Sequence, residues 1–157
     1  MKQPYILFLF GLFISNAVAA DLAAYPSGQA QDLSALKAPV RIVNLWGSYC
    51  KPCVKEMPEM SAWYKKQKKG SVDLVGIAVD REANIAEFLK KTPVSYPVWR
   101  YTGKDSRAFM QTLGNKVGAL PFTTVEAVKC GHKEAILGEI NGKKLDEAVQ
   151  KAAAQCK

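Results

Sequence analysis

The chain is predicted to fold as an α/β domain with a mixed central β-sheet flanked by helices. Short apolar segments rich in β-branched residues alternate along the chain with segments whose apolar residues recur at helical spacing. Two strand-like segments near the carboxyl terminus are separated only by a short turn, which is typical of an antiparallel hairpin. A helical segment follows the hairpin. Strands interleaved with helices in this order favour helices packed on a sheet around one core.

The predicted elements follow one another with short connections. Asp105 is placed to cap one helix and Gly114 to end it, and "KCGH" (129–132) is placed as the turn of the final hairpin. The predicted strands are residues 40–46, 72–79, 96–99, 122–128 and 133–140. The predicted helices are residues 51–69, 83–91, 105–114 and 145–156.

The composition fits one globular domain and argues against several functional classes. Of the 157 residues, 48% are hydrophobic and 23% are charged, which is enough for a core and argues against a disordered chain. The net charge of +8 is modest for a nucleic-acid-binding protein. The lysines are scattered except in "YKKQKKG" (64–70), which lacks interleaved arginines and fits the solvated end of a helix. No nucleic-acid partner is expected.

The amino-terminal segment has the layout of a secretory signal peptide. Lys2 precedes an apolar run of residues 5–14, and the small residues of "NAVAA" follow. We therefore expect a signal peptide at residues 1–20 and one domain at residues 21–157, exported to the bacterial periplasm. An uncleaved membrane anchor is the alternative, although the apolar run is short for a bilayer span of about twenty residues. Disulfide bonds persist in an exported protein.

The four cysteines form a close pair, Cys50 and Cys53, and a distant pair, Cys130 and Cys156. A zinc site that combined the close pair with Cys130 and His132 would not match the ligand spacing of known zinc modules. A c-type haem anchor requires histidine directly after the second cysteine of the close pair, and that residue is valine. A structural bridge and a reactive redox pair remain for the close pair.

The residues around the close pair favour the redox interpretation. Val40–Trp46 is predicted as a buried strand, and Cys50 follows it at the start of a predicted helix. Free backbone N–H groups and the helix dipole stabilise a thiolate at that end of a helix. Pro52 fits the first turn, where its missing N–H breaks no hydrogen bond, and Cys53 lies one turn from Cys50. Pro58 is expected to kink the helix.

Topology predicts that Cys130 and Cys156 form a structural disulfide. Cys130 lies in the predicted hairpin turn, and the following strand leads away from it for about 20 Å. The last helix must run back, and its twelve residues span about 18 Å. The helix end that carries Cys156 should therefore return to the turn. Two free thiols are the alternative.

The segment "NLWGSYCKPCVKEMP" (44–58) resembles the active-site segment of thioredoxin-fold proteins, most closely the exported TlpA/ResA/CcmG-like thiol–disulfide oxidoreductases. Tyr49 stands where those proteins usually have tryptophan. The resemblance continues through residues 72–82, 87–99 and 115–125, and residues 84–99 resemble a helix–strand insertion of the TlpA-like members. The matching residues are Asn44, Trp46, Cys50, Pro52, Cys53, Glu56, Met57 and Pro58.

The resemblance implies dithiol–disulfide exchange. Cys50 is expected to be the exposed attacking thiolate, and Cys53 is expected to be the less exposed resolving thiol. Lys51 beside Cys50 favours the thiolate, and Lys51 and Pro52 together are expected to tune the redox potential.

Further site residues come from the same resemblance. Pro121 is expected to be a cis-proline that faces the cysteines and excludes metal from the dithiol. Leu120 is expected to offer its backbone edge to an extended substrate segment, and Trp46 is assigned to the same substrate-binding surface.

The resemblance also bears on the acid near the cysteines. Asn44 replaces the buried aspartate of thioredoxin and cannot act as a base. Glu82 is therefore expected to take the Cys53 proton, with Asp80 as an alternative. Both acids could instead be loop charges or helix caps.

The predicted function is reduction of disulfides in exported client proteins, with a membrane thiol relay protein as electron donor. Cytochrome c maturation is one compatible pathway. The protein is expected to be a monomer without cofactor or metal. A periplasmic disulfide oxidase or isomerase of the same fold is the alternative. A non-enzymatic exported binding module with a structural bridge and a copper or zinc carrier are further rivals.

Overall fold

The structure is a computed structural model that describes residues 21–156. The predicted signal peptide at residues 1–20 and the last residue of the predicted domain lie outside the described residues. No helix within residues 21–156 has the length and apolar character needed to cross a membrane.

Six strands form one mixed sheet, which confirms the predicted α/β class. Along the sheet the order is β1-β4-β3-β2-β5-β6. The neighbours β2, β3 and β4 run parallel, whereas β1, β5 and β6 run antiparallel to the strands they pair with. The strands are β1 (Leu22–Ala24), β2 (Val40–Trp46), β3 (Val72–Ala78), β4 (Val98–Tyr101), β5 (Phe122–Ala127) and β6 (His132–Leu137).

Four α-helices and one short 3₁₀ turn (Leu33–Ala35) accompany the sheet within the described residues. The longest helix continues through Pro58 as one element. The helices are α1 (Lys51–Lys65), α2 (Glu82–Lys91), α3 (Ser106–Thr112) and α4 (Gly142–Ala154).

Apolar side chains cover both faces of the sheet. Successive strand residues point to opposite faces, so Ile42 of β2 lies in a cluster with α1 and α4, whereas Val43 lies in a cluster with Met110 of α3. A third cluster joins the carboxyl end of β2 to α1 and to Ile85 of α2. The central strands are therefore buried on both faces, as their apolar sequences indicate.

The predicted insertion corresponds to α2 and β4. Along the chain both elements lie between β3 and α3, and β4 pairs in parallel with β3. In the register of the parallel pair β2–β3, Trp46 lies opposite Ala78. The chain therefore leaves both strands at the same edge of the sheet. This edge carries the start of α1, with the close cysteine pair, and the start of α2.

Candidate active site

Cys50 and Cys53 form a disulfide at the start of α1. Their sulfurs are 2.04 Å apart and their Cα atoms 5.2 Å apart. Cys50 is the N-cap residue, and its sulfur accepts a hydrogen bond from the backbone N–H of Cys53 at 3.3 Å. Pro52 occupies the first turn, as predicted. The helix terminus thus directs an N–H group at the sulfur that would carry the thiolate charge.

The two sulfur-bearing residues differ in their access to solvent. Cys50 is 8% exposed, whereas Cys53 is fully buried. The predicted order of exposure is confirmed, but the expectation of an exposed Cys50 is wrong for the disulfide form, because Cys50 packs in the cluster of Trp46 and Met57. Lys51 is exposed next to Cys50, and Tyr49 on its other side is 68% exposed.

The loop before β5 lies beside the cysteine pair. The Leu120–Pro121 peptide bond is cis, as predicted. Leu120 is partly buried and packs against the cluster that contains Cys50 and Cys53. The structure therefore places Leu120 at the cluster that holds the redox pair. A second cis bond, between Tyr25 and Pro26, was not predicted from the sequence.

The assignment of Trp46 to the substrate surface is wrong. Its side chain is fully buried, and its ring packs against Phe88 of α2 with centroids 5.1 Å apart. Its indole Nε1 is buried without a hydrogen-bond partner among the described residues. Trp46 ends a strand covered on both faces, so it supports the cysteine pair from the core side.

The structure does not bring Glu82 to the cysteine pair. Glu82 is the first residue of α2, its side chain is 62% exposed, and it forms an ion pair with Arg100 at 3.3 Å. Asp80, the alternative acid, accepts hydrogen bonds from Ser48 and Asn84. Burial acts to raise the Asp80 pKa, but these bonds outweigh it and hold the pKa below its ordinary value. Asp80 is therefore poorly suited to accept a proton near neutral pH.

Glu56 is the buried acid of the site, and the sequence did not reveal its role. It is 1% exposed and lies on α1 three residues after Cys53. Its carboxylate accepts hydrogen bonds from Asn44 Nδ2 and from the backbone N–H of Ile140, both at 2.8 Å. Burial raises the pKa of Glu56 to about 7, although the bonds from Ile140 and Asn44 act to lower it. The sequence does contain one indication that this acid is buried. Glu56 is next to the apolar Met57, on a helix that must pack against the sheet.

Asn44 connects Glu56 to the sheet. Its amide nitrogen donates to Glu56 and also to Thr123 Oγ1 at 3.0 Å. Asn44 is fully buried. The residue that replaces the aspartate of thioredoxin therefore acts as a hydrogen-bond donor to a buried acid on the cysteine helix.

The second disulfide lies away from the redox pair. Cys130 and Cys156 are bonded, as predicted, with Cα atoms 5.5 Å apart. Cys130 lies in the turn after β5, whereas the redox pair lies beside the start of β5, so roughly 20 Å of strand separates them. Within residues 21–156, no group of three or more histidine, cysteine, aspartate and glutamate residues is arranged to hold a metal.

Comparison with known proteins gives one family. A family model described as Redoxin matches residues 15–128. Thiol-disulfide oxidoreductase ResA from Bacillus cereus (strain ZK / E33L) is 31% identical over 138 residues, which is 87% of this chain and 74% of the relative. Thiol-disulfide oxidoreductase ResA from Bacillus subtilis (strain 168) is 39% identical over 74 residues, covering 46% of this chain and 41% of the relative.

Solved structures agree with the sequence relatives. A thioredoxin-related protein from Neisseria meningitidis serogroup B is 62% identical with a TM-score of 0.82, covering 85% of this chain and 98% of that chain. A thiol:disulfide interchange protein of the thioredoxin family from Chlorobium tepidum TLS is 25% identical with a TM-score of 0.64, covering 85% and 94%. The chain therefore belongs to the redoxin family and is a thioredoxin-fold thiol–disulfide oxidoreductase of the ResA type with a Cys50–Cys53 pair.

Proposed function

We propose that the protein is exported to the bacterial periplasm and there reduces disulfides of client proteins. The observation that carries this proposal is the asymmetry of the cysteine pair. Cys50 caps the helix and is the more accessible residue, whereas Cys53 is buried on the same helix as the acid Glu56. This arrangement suits one thiol to attack a client and the other to resolve the mixed disulfide.

The exchange begins with the reduced pair. The Cys50 thiolate attacks one sulfur of the client disulfide, the client S–S bond breaks, and its electron pair leaves on the second client sulfur. The Cys53 thiolate then attacks the Cys50 sulfur and releases the client as a dithiol. The client gains two electrons and two protons, one proton from Cys53 and one from solvent, and the protein is left with the Cys50–Cys53 disulfide.

We assign Glu56 rather than Glu82 as the acceptor of the Cys53 proton. Glu56 lies one helical turn after Cys53, and its pKa of about 7 allows it to gain and lose a proton at neutral pH. Glu82 is exposed and paired with Arg100. The proton can then pass from Glu56 to the leaving client thiolate.

The client is proposed to bind across the loop before β5. Leu120 lies at the cysteine pair and can pair its backbone with an extended client segment. Tyr49 and Val117 are 68% and 58% exposed and supply apolar surface on the chain segments next to Cys50 and Leu120. Cytochrome c apoproteins with oxidised haem-site cysteines are one client class, and a membrane thiol relay protein is the proposed electron donor.

Client capture tests this function. A Cys53→Ser variant cannot resolve the mixed disulfide, so it should accumulate exported proteins linked to Cys50 in the periplasm. The captured proteins are identified by mass spectrometry after release with dithiothreitol. The matched control is the Cys50→Ser, Cys53→Ser double variant, which should capture none. Equal capture by both variants would favour the non-enzymatic binding module.

The reduction potential tests the direction of electron flow. A reductase should have a Cys50–Cys53 potential near that of thioredoxin, about −270 mV, whereas an oxidase should approach that of DsbA, about −120 mV. Equilibration with glutathione buffers measures it. A value at the oxidising end would establish the alternative function as disulfide oxidase or isomerase.

The location and the oligomeric state are tested separately. The protein purified from a periplasmic extract should begin near Asp21 by intact mass, whereas a mass that retains residues 1–20 would indicate the membrane-anchored alternative. Light scattering should give the mass of a monomer. Stoichiometric metal after purification under reducing conditions would favour the copper or zinc carrier.

A further inference from the structure

Asp80 joins two parts of the redox centre through its two carboxylate oxygens. One oxygen, Oδ2, accepts from the backbone N–H of Ser48 at 2.9 Å and from the Ser48 hydroxyl at 2.5 Å. The other, Oδ1, accepts from the backbone N–H of Arg81 at 2.7 Å and from Asn84 Nδ2 at 2.8 Å. Asp80 thus holds the segment before Cys50 on one side and the start of α2 on the other.

The segment held by Asp80 is the turn that presents Cys50. The backbone N–H of Cys50 donates to the carbonyl of Gly47 at 3.1 Å, which closes a four-residue turn with Ser48 at its second position. Ser48 is therefore two residues from the attacking sulfur. The neighbouring hydrogen bond from Val79 N–H to the Trp46 carbonyl, at 2.9 Å, fixes the start of the turn to the end of β3.

The charge on Asp80 persists at neutral pH. Burial acts to raise its pKa, but the four hydrogen bonds from Ser48, Asn84 and Arg81 outweigh burial and keep the pKa below its ordinary value. The negative charge of Asp80 also affects the exposed Tyr49 ring beside Cys50. Burial, and then this charge, raise the pKa of Tyr49. The ionised carboxylate therefore lies at the turn that carries Cys50.

We propose that Asp80 is a positioning residue of the redox centre, which fixes the Cys50 turn to the inserted helix α2 and whose negative charge disfavours the Cys50 thiolate. The inference rests on the proposed function in taking Cys50 as the attacking thiol. Other charged or titratable groups on this part of the chain are Lys51 and Tyr49 on either side of Cys50, the partner thiol of Cys53 and, further along α1, the buried Glu56. The helix terminus and Lys51 favour the thiolate, and Asp80 opposes them.

This role predicts a less reducing pair when the charge is removed. A lower Cys50 pKa stabilises the dithiol form relative to the disulfide, which raises the reduction potential. Removing the charge of the neighbouring Glu82 should not change the Cys50 pKa in this way. The Glu82 side chain is 62% exposed and is paired with Arg100 instead of with the turn.

The test compares Asp80→Asn with two control variants in the reduced full chain. The Cys50 pKa is read from the pH dependence of alkylation by iodoacetamide, and the potential from equilibration with glutathione. Asp80→Asn should lower the Cys50 pKa by at least about half a unit, roughly a threefold change in the thiolate-to-thiol ratio. The same threefold change corresponds to a rise of about 15 mV in potential.

The controls separate charge from helix capping. Glu82→Gln makes the same chemical change two residues away, and Asn84→Ala removes one bond to α2 while leaving Asp80 charged and bonded to Ser48. Both should keep the wild-type Cys50 pKa and potential. If Asp80→Asn does not fold, Asp80→Ser removes the charge with a smaller side chain, and the same two quantities are measured on that variant.

Two outcomes would overturn the inference. Asp80→Asn could change the thermal midpoint while leaving the Cys50 pKa and the potential at their wild-type values. Alternatively, Asn84→Ala could shift both quantities as far as Asp80→Asn does. Failure of the proposed function looks different, because Cys50 would then trap no client in any variant even where its alkylation responds to Asp80.

Discussion

At the scale of single residues, the carboxyl group of Glu56 makes the site sensitive to pH, because its protonation changes near neutrality. It is 1% exposed and receives hydrogen bonds from Asn44 and Ile140. Two donors satisfy an ionised carboxylate well, yet burial dominates and raises the pKa to about 7. In the unfolded chain the same group titrates near 4.5. The folded protein therefore holds a proton on Glu56 across a pH range in which the unfolded chain has released it.

This difference predicts a pH dependence of stability. Because the folded pKa is raised, the contribution of Glu56 is fully present below about pH 4.5 and is lost as pH rises towards 7. The loss is about 3 kcal/mol over that range. In Glu56→Gln this part of the slope should be absent. Urea unfolding of the oxidised proteins from pH 4 to 8 measures the difference between the two curves.

Glu82→Gln is the control for that comparison. Glu82 is exposed, so its substitution should leave the slope of the wild-type curve unchanged. Parallel curves for wild type and Glu56→Gln between pH 4.5 and 7 would contradict a raised Glu56 pKa.

At the scale of elements, the packing of two buried aromatic rings against β3 requires a glycine in that strand. Gly76 lies opposite Asn44 in the parallel pair β2–β3. A Cβ at this position would meet Tyr96 Cε2 at 3.0 Å and Trp46 Nε1 at 3.2 Å. Both rings are buried, so they have little room to yield.

Gly76→Ala should therefore destabilise the protein by about 1–3 kcal/mol through overpacking. Gly142→Ala is the matched control, because its Cβ would lie 3.6 Å from Trp63 Cδ1, an ordinary contact, at the start of α4. It should be neutral or slightly stabilising, since alanine favours a helix over glycine. Urea unfolding compares both variants with wild type. A neutral Gly76→Ala would show that the two rings can shift freely.

The elements also show which parts of the fold the sequence could predict. Long apolar or amphipathic segments such as β2 and α1 were predicted because their patterns are strong over many residues. The strand β1 is three residues long and forms through pairing with β4 and a bridge between Ala23 and Ala30, so no local pattern marks it. The predicted strand 133–140 ends early, since Gly138 has a φ of +93°.

The same limit applies to the candidate site. Cys50 and Cys53 were predicted because their residue type and spacing carry the chemistry, and Pro121 was predicted from the resemblance to thioredoxin-fold proteins. Trp46 and Glu56 were misjudged or missed because their roles follow from burial, which depends on how α1 and α2 pack on the sheet.

At the scale of the whole molecule, the two disulfides have different roles: Cys50–Cys53 is the reactive pair and Cys130–Cys156 stabilises the fold. The Cys130–Cys156 bond joins the turn after β5 to the end of α4, across a sequence separation of 26 residues. Leu145 and Ala152 of α4 lie in the main core cluster. The bond therefore closes a loop that includes β6 and α4, at the end of β5 away from the redox pair.

Removing this bond should lower stability without altering the redox pair. The Cys130→Ser, Cys156→Ser double variant should lose about 3–4 kcal/mol of unfolding free energy, because the unfolded chain regains the entropy of a loop of this length. The Cys50–Cys53 potential should stay within about 10 mV of wild type, since charges and helix ends near Cys50 are unchanged. Urea unfolding with the redox pair oxidised measures the first quantity, and glutathione equilibration measures the second. A potential shifted by more than that, with stability retained, would mean that the distant bond tunes the reactive pair instead of holding α4.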